Sequence, residues 1–174
     1  MKSYIISLHS ILFLMIGCTE SSTNEPIVKQ AVLPAHILSH EQWDPSISVR
    51  EARKNIIAGQ TLTVEGFIGG RKKPFTQSKA MFILGDDSLE TCDKIPGDSC
   101  PTPWDVCCED PKKISTSTIS IQILDHNGSL LSGTLQGVAG IEPGKRVKVL
   151  GTVSSKSSSQ AMILEATALQ VLPK

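Results

Sequence analysis

Apolar and polar residues change period several times along the 174-residue chain, and each change marks an element. Ile47, Val49, Ala52, Ile56 and Ile57 recur at helical spacing between Ser46 and Ala58, with Ser46 or Ser48 available as N-cap and Gly59 as a stop. A short amphipathic helix is predicted there. Period two then takes over: Leu62, Val64, Gly66 and Ile68 alternate with Thr61, Thr63, Glu65 and Phe67 until Gly69-Gly70. Ala80 to Leu84 forms a second, shorter strand, and Ile119, Ile121 and Ile123 mark a third before the turn Asp125-His126-Asn127-Gly128. Glu142-Pro143-Gly144-Lys145 has Pro and Gly in the central positions of a type II turn, and it launches a fourth strand with Val147, Val149, Gly151 and Val153 on one face. Ser154 to Gln160 reads as a hairpin loop. Ala161 to Leu172 reads as a fifth strand whose parity changes near Ala168-Leu169, the mark of a bulge.

Five short strands with interior glycines and no alternation with helices favour a small closed barrel over a sandwich, because closure leaves no exposed edge. The pattern Gly59-x-Thr61-Leu62-Thr63-Val64-x-Gly66-x-Ile68, then Phe82-x-Leu84-x-Asp86, then Pro143-Gly144-x-x-Val147-x-Val149-x-Gly151-x-Val153 resembles the oligonucleotide/oligosaccharide-binding (OB) fold. With the preceding helix it is similar to the small periplasmic bacterial OB-fold family. The resemblance runs from Ser48 to Leu172, with Gly85 to Ser117 as an insertion. It implies a mainly β fold: a five-stranded OB-like Greek-key barrel over residues 47–172 with one short helix before it. The insertion at 85–117 departs from that family, and its cysteines predict a disulfide-braced loop.

The amino terminus carries Lys2, an apolar run from Tyr4 to Ile16, and Gly17-Cys18. This is the outline of an export signal, and the run is shorter than the roughly 20 residues that span a bilayer. Leu14-Met15-Ile16-Gly17-Cys18 resembles a bacterial lipobox, with Met15 where Leu is usual. The resemblance implies a signal peptide over 1–17 and lipid on Cys18, and the polar, aperiodic run from Thr19 to Lys29 predicts a tether, taken over 18–46. The protein is then expected in the bacterial cell envelope, lipid-anchored to a membrane and facing the periplasm or exterior.

Cys92, Cys100, Cys107 and Cys108 crowd one segment. In an oxidising compartment an even set favours two disulfides, and four cysteines allow three pairings. The vicinal pair Cys107-Cys108 cannot bridge without severe strain, so 92–107 with 100–108, or 92–108 with 100–107, remain open. The set lacks a C-x-x-C knuckle, which argues against zinc. Asp93, Asp98, Asp105, Glu109 and Asp110 argue against a redox-active thiolate, and the acidic loop lacks the Asp spacing of an EF-hand. No metal and no cofactor is expected. The string Asp98-x-Cys100-Pro101-Thr102-Pro103-Trp104-Asp105-x-Cys107-Cys108-Glu109 resembles one in uncharacterised exported bacterial proteins, which implies no activity.

Seventeen Lys and Arg balance seventeen Asp and Glu, which removes the overall basic field of a dedicated nucleic-acid binder. Two basic loops remain, Arg71-Lys72-Lys73 and the one around Lys156, and in OB folds these loops flank the ligand groove. Parity sends Phe67 outward beside the first loop. The candidate ligand-binding residues are therefore Phe67, Arg71, Lys72, Lys73, Lys156 and Trp104. His36, His40 and His126 fall in no catalytic motif, and no nucleophile elbow, zincin helix or phosphate loop is present, so no catalytic residue is assigned. The expectation is a membrane-anchored binding module whose partner is an envelope protein, a glycan or an anionic ligand. The alternative is polyanion or nucleic-acid binding through the barrel face, and a third reading is metal-dependent or redox activity at the cysteine-rich loop.

Overall fold

The computed structural model describes residues 28–39, 43 and 45–173. The expected signal peptide over 1–17, the expected lipidation site Cys18, and residues 19–27, 40–42 and 44 of the expected tether lie outside the described residues. Where the tether was expected to continue, residues 28–39 instead lie on the barrel. Ala31 N–H donates to the Thr134 carbonyl at 2.8 Å, Ser39 N–H donates to the Leu169 carbonyl at 3.1 Å, and Ile37 is buried. Apolar Ala31 and Ile37 join the core, which fixes part of the expected tether on the barrel.

A two-residue strand β1 (Ile47–Ser48) leads into α1 (Val49–Lys54). Ser48 Oγ accepts the Glu51 N–H at 3.1 Å, and Asp86 Oδ2 accepts the Arg50 N–H at 2.7 Å, so two of the orphan amides of the first turn are satisfied. The helix buries Val49 and Ala52 and ends at Lys54, well before Gly59. Ile56 packs on the core from the following connection and Ile57 is half-exposed, which shortens the expected helix.

The barrel strands are β2 (Thr61–Ile68), β3 (Met81–Gly85), β4 (Thr118–Gln122), β5 (Arg146–Val153) and β6 (Ile163–Val171). Their order is β2-β3-β4-β6-β5, and β5 pairs back on β2 to close the ring. The β2–β5 ladder is antiparallel from Thr61↔Thr152 to Phe67↔Arg146, whereas β4 and β6 run parallel. Period two carries the core directly. Val64, Ile68, Phe82, Leu84, Ile119, Ile121, Val147, Val149 and Leu164 are all buried in one cluster.

The bulge lies on β6 at Thr167, next to the position that sequence parity indicated. Leu150 faces Ala168 and Gly151 faces Ala166, so Thr167 is the extra residue, and its hydroxyl donates to the Leu150 carbonyl at 3.2 Å. A side chain at Gly151 would begin 2.6 Å from the Glu165 carbonyl oxygen, so the close approach of the two strands requires glycine. The Pro143-Gly144 turn forms as expected, with Gly144 at φ +77 and its N–H donating to the Ile68 carbonyl at 2.7 Å.

Between β3 and β4 the chain leaves the barrel at Asp86 and returns at Ser117. Asp86 N–H donates to the Ser117 carbonyl at 2.9 Å, beside the last β3–β4 pair, Gly85↔Thr118. This excursion contains a 3-10 turn, Cys92–Lys94, and a helix absent from the sequence reading, α2 (Pro111–Thr116). Asp110 caps α2 by accepting the Lys112 and Lys113 N–H groups at 2.9 and 3.0 Å, with Pro111 in the first turn. Asp-Pro was the available signal for that helix.

Candidate functional site

Phe67 decides how the excursion sits. Its side chain leaves β2 on the outer face, as parity required, but it is not an open ring. Leu89 and Val106 cover it, with Ile114 beside them, and Phe67 is only 6% exposed. The expected recognition aromatic is thus an anchor for the insertion, because an apolar ring on a barrel exterior is stabilised by whatever apolar groups the neighbouring loop can supply. Gly69 and Gly85 leave the space it occupies: a Cβ at Gly69 would stand 2.5 Å from the ring, and one at Gly85 would stand 2.7 Å from it.

Trp104 ties the same insertion to the first barrel loop. Its indole N–H donates to the Lys72 carbonyl at 3.2 Å, and its own carbonyl accepts the Gly70 N–H at 3.1 Å. Two depressions meet at this tryptophan. One, of about 400 Å³, lies between the insertion and the β5 turn, with Phe67 in its floor and Lys94, Lys145 and Arg146 against Asp87 and Asp93 on its walls. The other, of about 430 Å³, is lined by Lys72, Lys73, Phe75, Gln77, Thr134 and Gln136, with Gln30 and Trp104 at its sides and no carboxylate among its lining residues. Phe75 is held by Phe82, with ring centroids 5.9 Å apart.

The candidate cations therefore separate. Lys72 and Lys73 share the second depression with Trp104. Arg71 lines a third, of about 330 Å³, with Ile114, Ser120, Gln160 and Met162. Lys156 is exposed on the last hairpin and lines none of these three. The expected cluster of Phe67 with Arg71, Lys72 and Lys73 is corrected accordingly: a bent loop directs neighbouring side chains to different faces. Gln30, Thr134 and Gln136 were missed, since they come from distant segments joined by the Ala31 N–H to Thr134 carbonyl and Thr134 N–H to Lys29 carbonyl bonds and by the Gln30 amide on the Gln136 carbonyl.

Electrostatics lock the first depression. Arg146 pairs with Asp87 through Nη1 and with Glu65 Oε1 through Nη2, the latter at 2.7 Å. These bonds raise the arginine's pKa, Asp87 contributing most. The bond from Arg146 holds the Glu65 carboxyl below its usual range. Burial pushes the Asp86 carboxyl up, but hydrogen bonds from Ser88 and the Arg50 N–H outweigh it, leaving the group lowered.

The four cysteines are brought together but not joined; all are free thiols. Cys92 Sγ is 3.7 Å from Cys107 Sγ, and Cys107 Sγ is 3.9 Å from Cys108 Sγ. Sulfurs of Cys92, Cys100 and Cys107 all lie within 4.8 Å of one another. Burial, and then Cys107, pushes the Cys92 thiol up to about 12, whereas the Thr102 hydroxyl lowers that of Cys100.

No protein-family model matches the chain, and no curated protein matches it. Among solved structures it is similar to the hypothetical protein ygiW from E. coli, with 13% identity over 74% of this chain and 90% of that one, at a TM-score of 0.39. Among the described residues no helix is long and apolar enough to cross a membrane.

Proposed function

We propose that the protein is a binding module of the bacterial cell envelope, anchored by lipid on Cys18, that takes an anionic, hydroxyl-rich ligand such as an acidic glycan in the depression beside Trp104. The observation that carries this reading is the make-up of that depression. Two lysines, an indole edge, a phenyl ring, and the amides and hydroxyl of Gln30, Gln77, Gln136 and Thr134 line it without any opposing carboxylate. Apolar faces with a few convergent polar groups suit a small ligand, and the uncancelled lysines select an acidic one. The hydrogen bond from Trp104 to the Lys72 carbonyl holds insertion and barrel loop as one wall, so little ordering is required on binding.

Calorimetric titration of the full chain with an acidic oligogalacturonate tests the proposal. The double variant Lys72→Ser, Lys73→Ser should lose binding while its folding stability stays within about 0.5 kcal/mol of the parent, since both side chains are exposed. Binding that is unchanged in this variant sinks the assignment. Capture of oligonucleotides that weakens steeply with salt would replace it by the polyanion alternative.

A further inference from the structure

We infer that Cys92, Cys100, Cys107 and Cys108 hold one zinc ion as a closed tetrathiolate site that stiffens the insertion. The geometry of the sulfurs is the first ground. A zinc–thiolate bond of about 2.3 Å gives a tetrahedron whose sulfur–sulfur edge is about 3.8 Å. The two short separations, 3.7 Å for Cys92–Cys107 and 3.9 Å for Cys107–Cys108, fall on that edge. Cys100 completes a sulfur triangle within 4.8 Å with Cys92 and Cys107, and Cys108, in contact with Cys107 but outside that mutual distance, closes the tetrahedron by turning its side chain toward the other two. A vicinal pair reaches such an edge without the ring strain that a bond between the same two sulfurs would impose. Spacing along the chain lacks a zinc knuckle, yet the fold supplies the proximity that spacing does not.

The second ground is that each sulfur is carried by a turn already fixed by its own hydrogen bonds. Cys92 N–H donates to the Asp105 carbonyl at 2.9 Å, and Cys100 N–H donates to Asp98 Oδ1 at 2.8 Å. Glu109 N–H closes on the Val106 carbonyl at 3.0 Å around Cys107 and Cys108. Thr102 Oγ1, 3.2 Å from Cys100 Sγ, is placed to donate to a metal-bound thiolate, the kind of outer contact that orients a ligand. Cys92 is buried while Cys107 and Cys108 are exposed, so the ion would sit at the rim with a path from solvent. Binding exchanges four thiol protons for one Zn²⁺ and needs no oxidant; in the oxidising envelope of the proposed function the disulfide pairing is its direct competitor, so the inference requires that the ion occupy the thiolates before they pair. Four protein ligands leave no open position, which makes the site structural. Trp104 lies in the stretch between Cys100 and Cys107, so the ion would fix the wall of the ligand depression, although the assignment does not depend on the ligand.

The test uses the full-length protein purified from membranes of expressing cells without reductant or chelator. One zinc per chain is expected, with four reduced cysteines by intact mass and thiols that alkylate only after metal release by a chelator. Exchange with Co²⁺ should give intense thiolate-to-metal absorption. A metal-free chain whose mass is lowered by the hydrogens of two disulfides would overturn the inference, as would iron in place of zinc. Because Cys92→Ser risks misfolding, the exposed Cys108→Ser supplies the second arm. It should lose zinc to a chelator that the parent withstands, with its far-ultraviolet spectrum unchanged, and retention equal to the parent's would remove Cys108 from the ligand set and overturn the tetrathiolate.

Discussion

In the barrel, residues from all five strands meet in one continuous apolar cluster running from Val64 and Phe82 to Leu164 and Leu169. In the excursion between β3 and β4, Leu89 and Val106 pack on Phe67, a residue the barrel lends, with Ile114 beside them. The remaining order of the excursion comes from turns and side-chain caps: Asp86 on Ser88, Asp98 on Cys100, Asp110 on α2. Burial is non-directional and scales with area, so a barrel can tolerate imperfect hydrogen bonding at its ends. A loop built on polar contacts gains little from each and depends on its attachment points. The difference teaches that the barrel folds for its own sake, whereas the excursion is ordered by what holds it to the barrel.

Three substitutions probe that contrast. Phe82→Ala should cost the whole molecule about 3–5 kcal/mol, because a fully buried ring leaves a cavity at the centre of the barrel. Urea unfolding followed by two probes, one in the barrel and one at Trp104, should give a single lowered midpoint. Phe67→Ala should cost about 3 kcal/mol by the same measure, but spent locally. Amide hydrogen exchange should quicken across residues 87–110 while the β2–β5 ladder keeps its protection. Equal loss of protection in both regions would erase the distinction.

The smallest effect belongs to Arg146→Gln, which removes the bonds to Asp87 and Glu65. The groups are partly exposed, so the loss at neutral pH should be below about 1 kcal/mol. Its pH dependence has a definite sign. Glu65 is held below its unfolded pKa by Arg146, so the contribution is present above that unfolded value, near about 4.3, and disappears as pH falls through the folded one. Parent and variant should therefore differ at pH 7 and converge in acid, by urea midpoint. A gap that widens on acidification would show that the pair is not the source.

Much of the barrel was legible because alternation is a local signal: Val147, Val149 and Val153 had only one way to face inward. The bulge was visible as a break in that parity, one residue from Thr167. Less was legible where partners come from afar. Phe67 was correctly sent outward, but nothing local to β2 says that Leu89 and Val106 will cover it. Gaps of seven and six residues between cysteines conceal sulfurs a few ångströms apart, since turn geometry rather than chain distance sets their separation. Residues 28–39 were expected as tether because Pro34 breaks their apolar residues, Val28, Ala31, Val32, Leu33, Ile37 and Leu38, into runs with no sustained period, yet Ala31 and Ile37 find places in the core. The Asp110-Pro111 start of α2 is a local signal, but the helix it opens, Pro111–Thr116, is only six residues long, too short to show an apolar period.

The pairing of Gly85 with Thr118 has a meaning for chain entropy. About 30 residues depart and return at adjacent points of one ladder, so to the barrel they are a hairpin with an overlong connection. Relative to a tight four-residue turn, closing that loop costs about 2 kcal/mol more, an amount that one well-buried aromatic offsets. The β3–β4 corner is thus a graft point. Whole new segments can be exchanged there, with new pockets and new chemistry, while the strand register beneath them stays as it is.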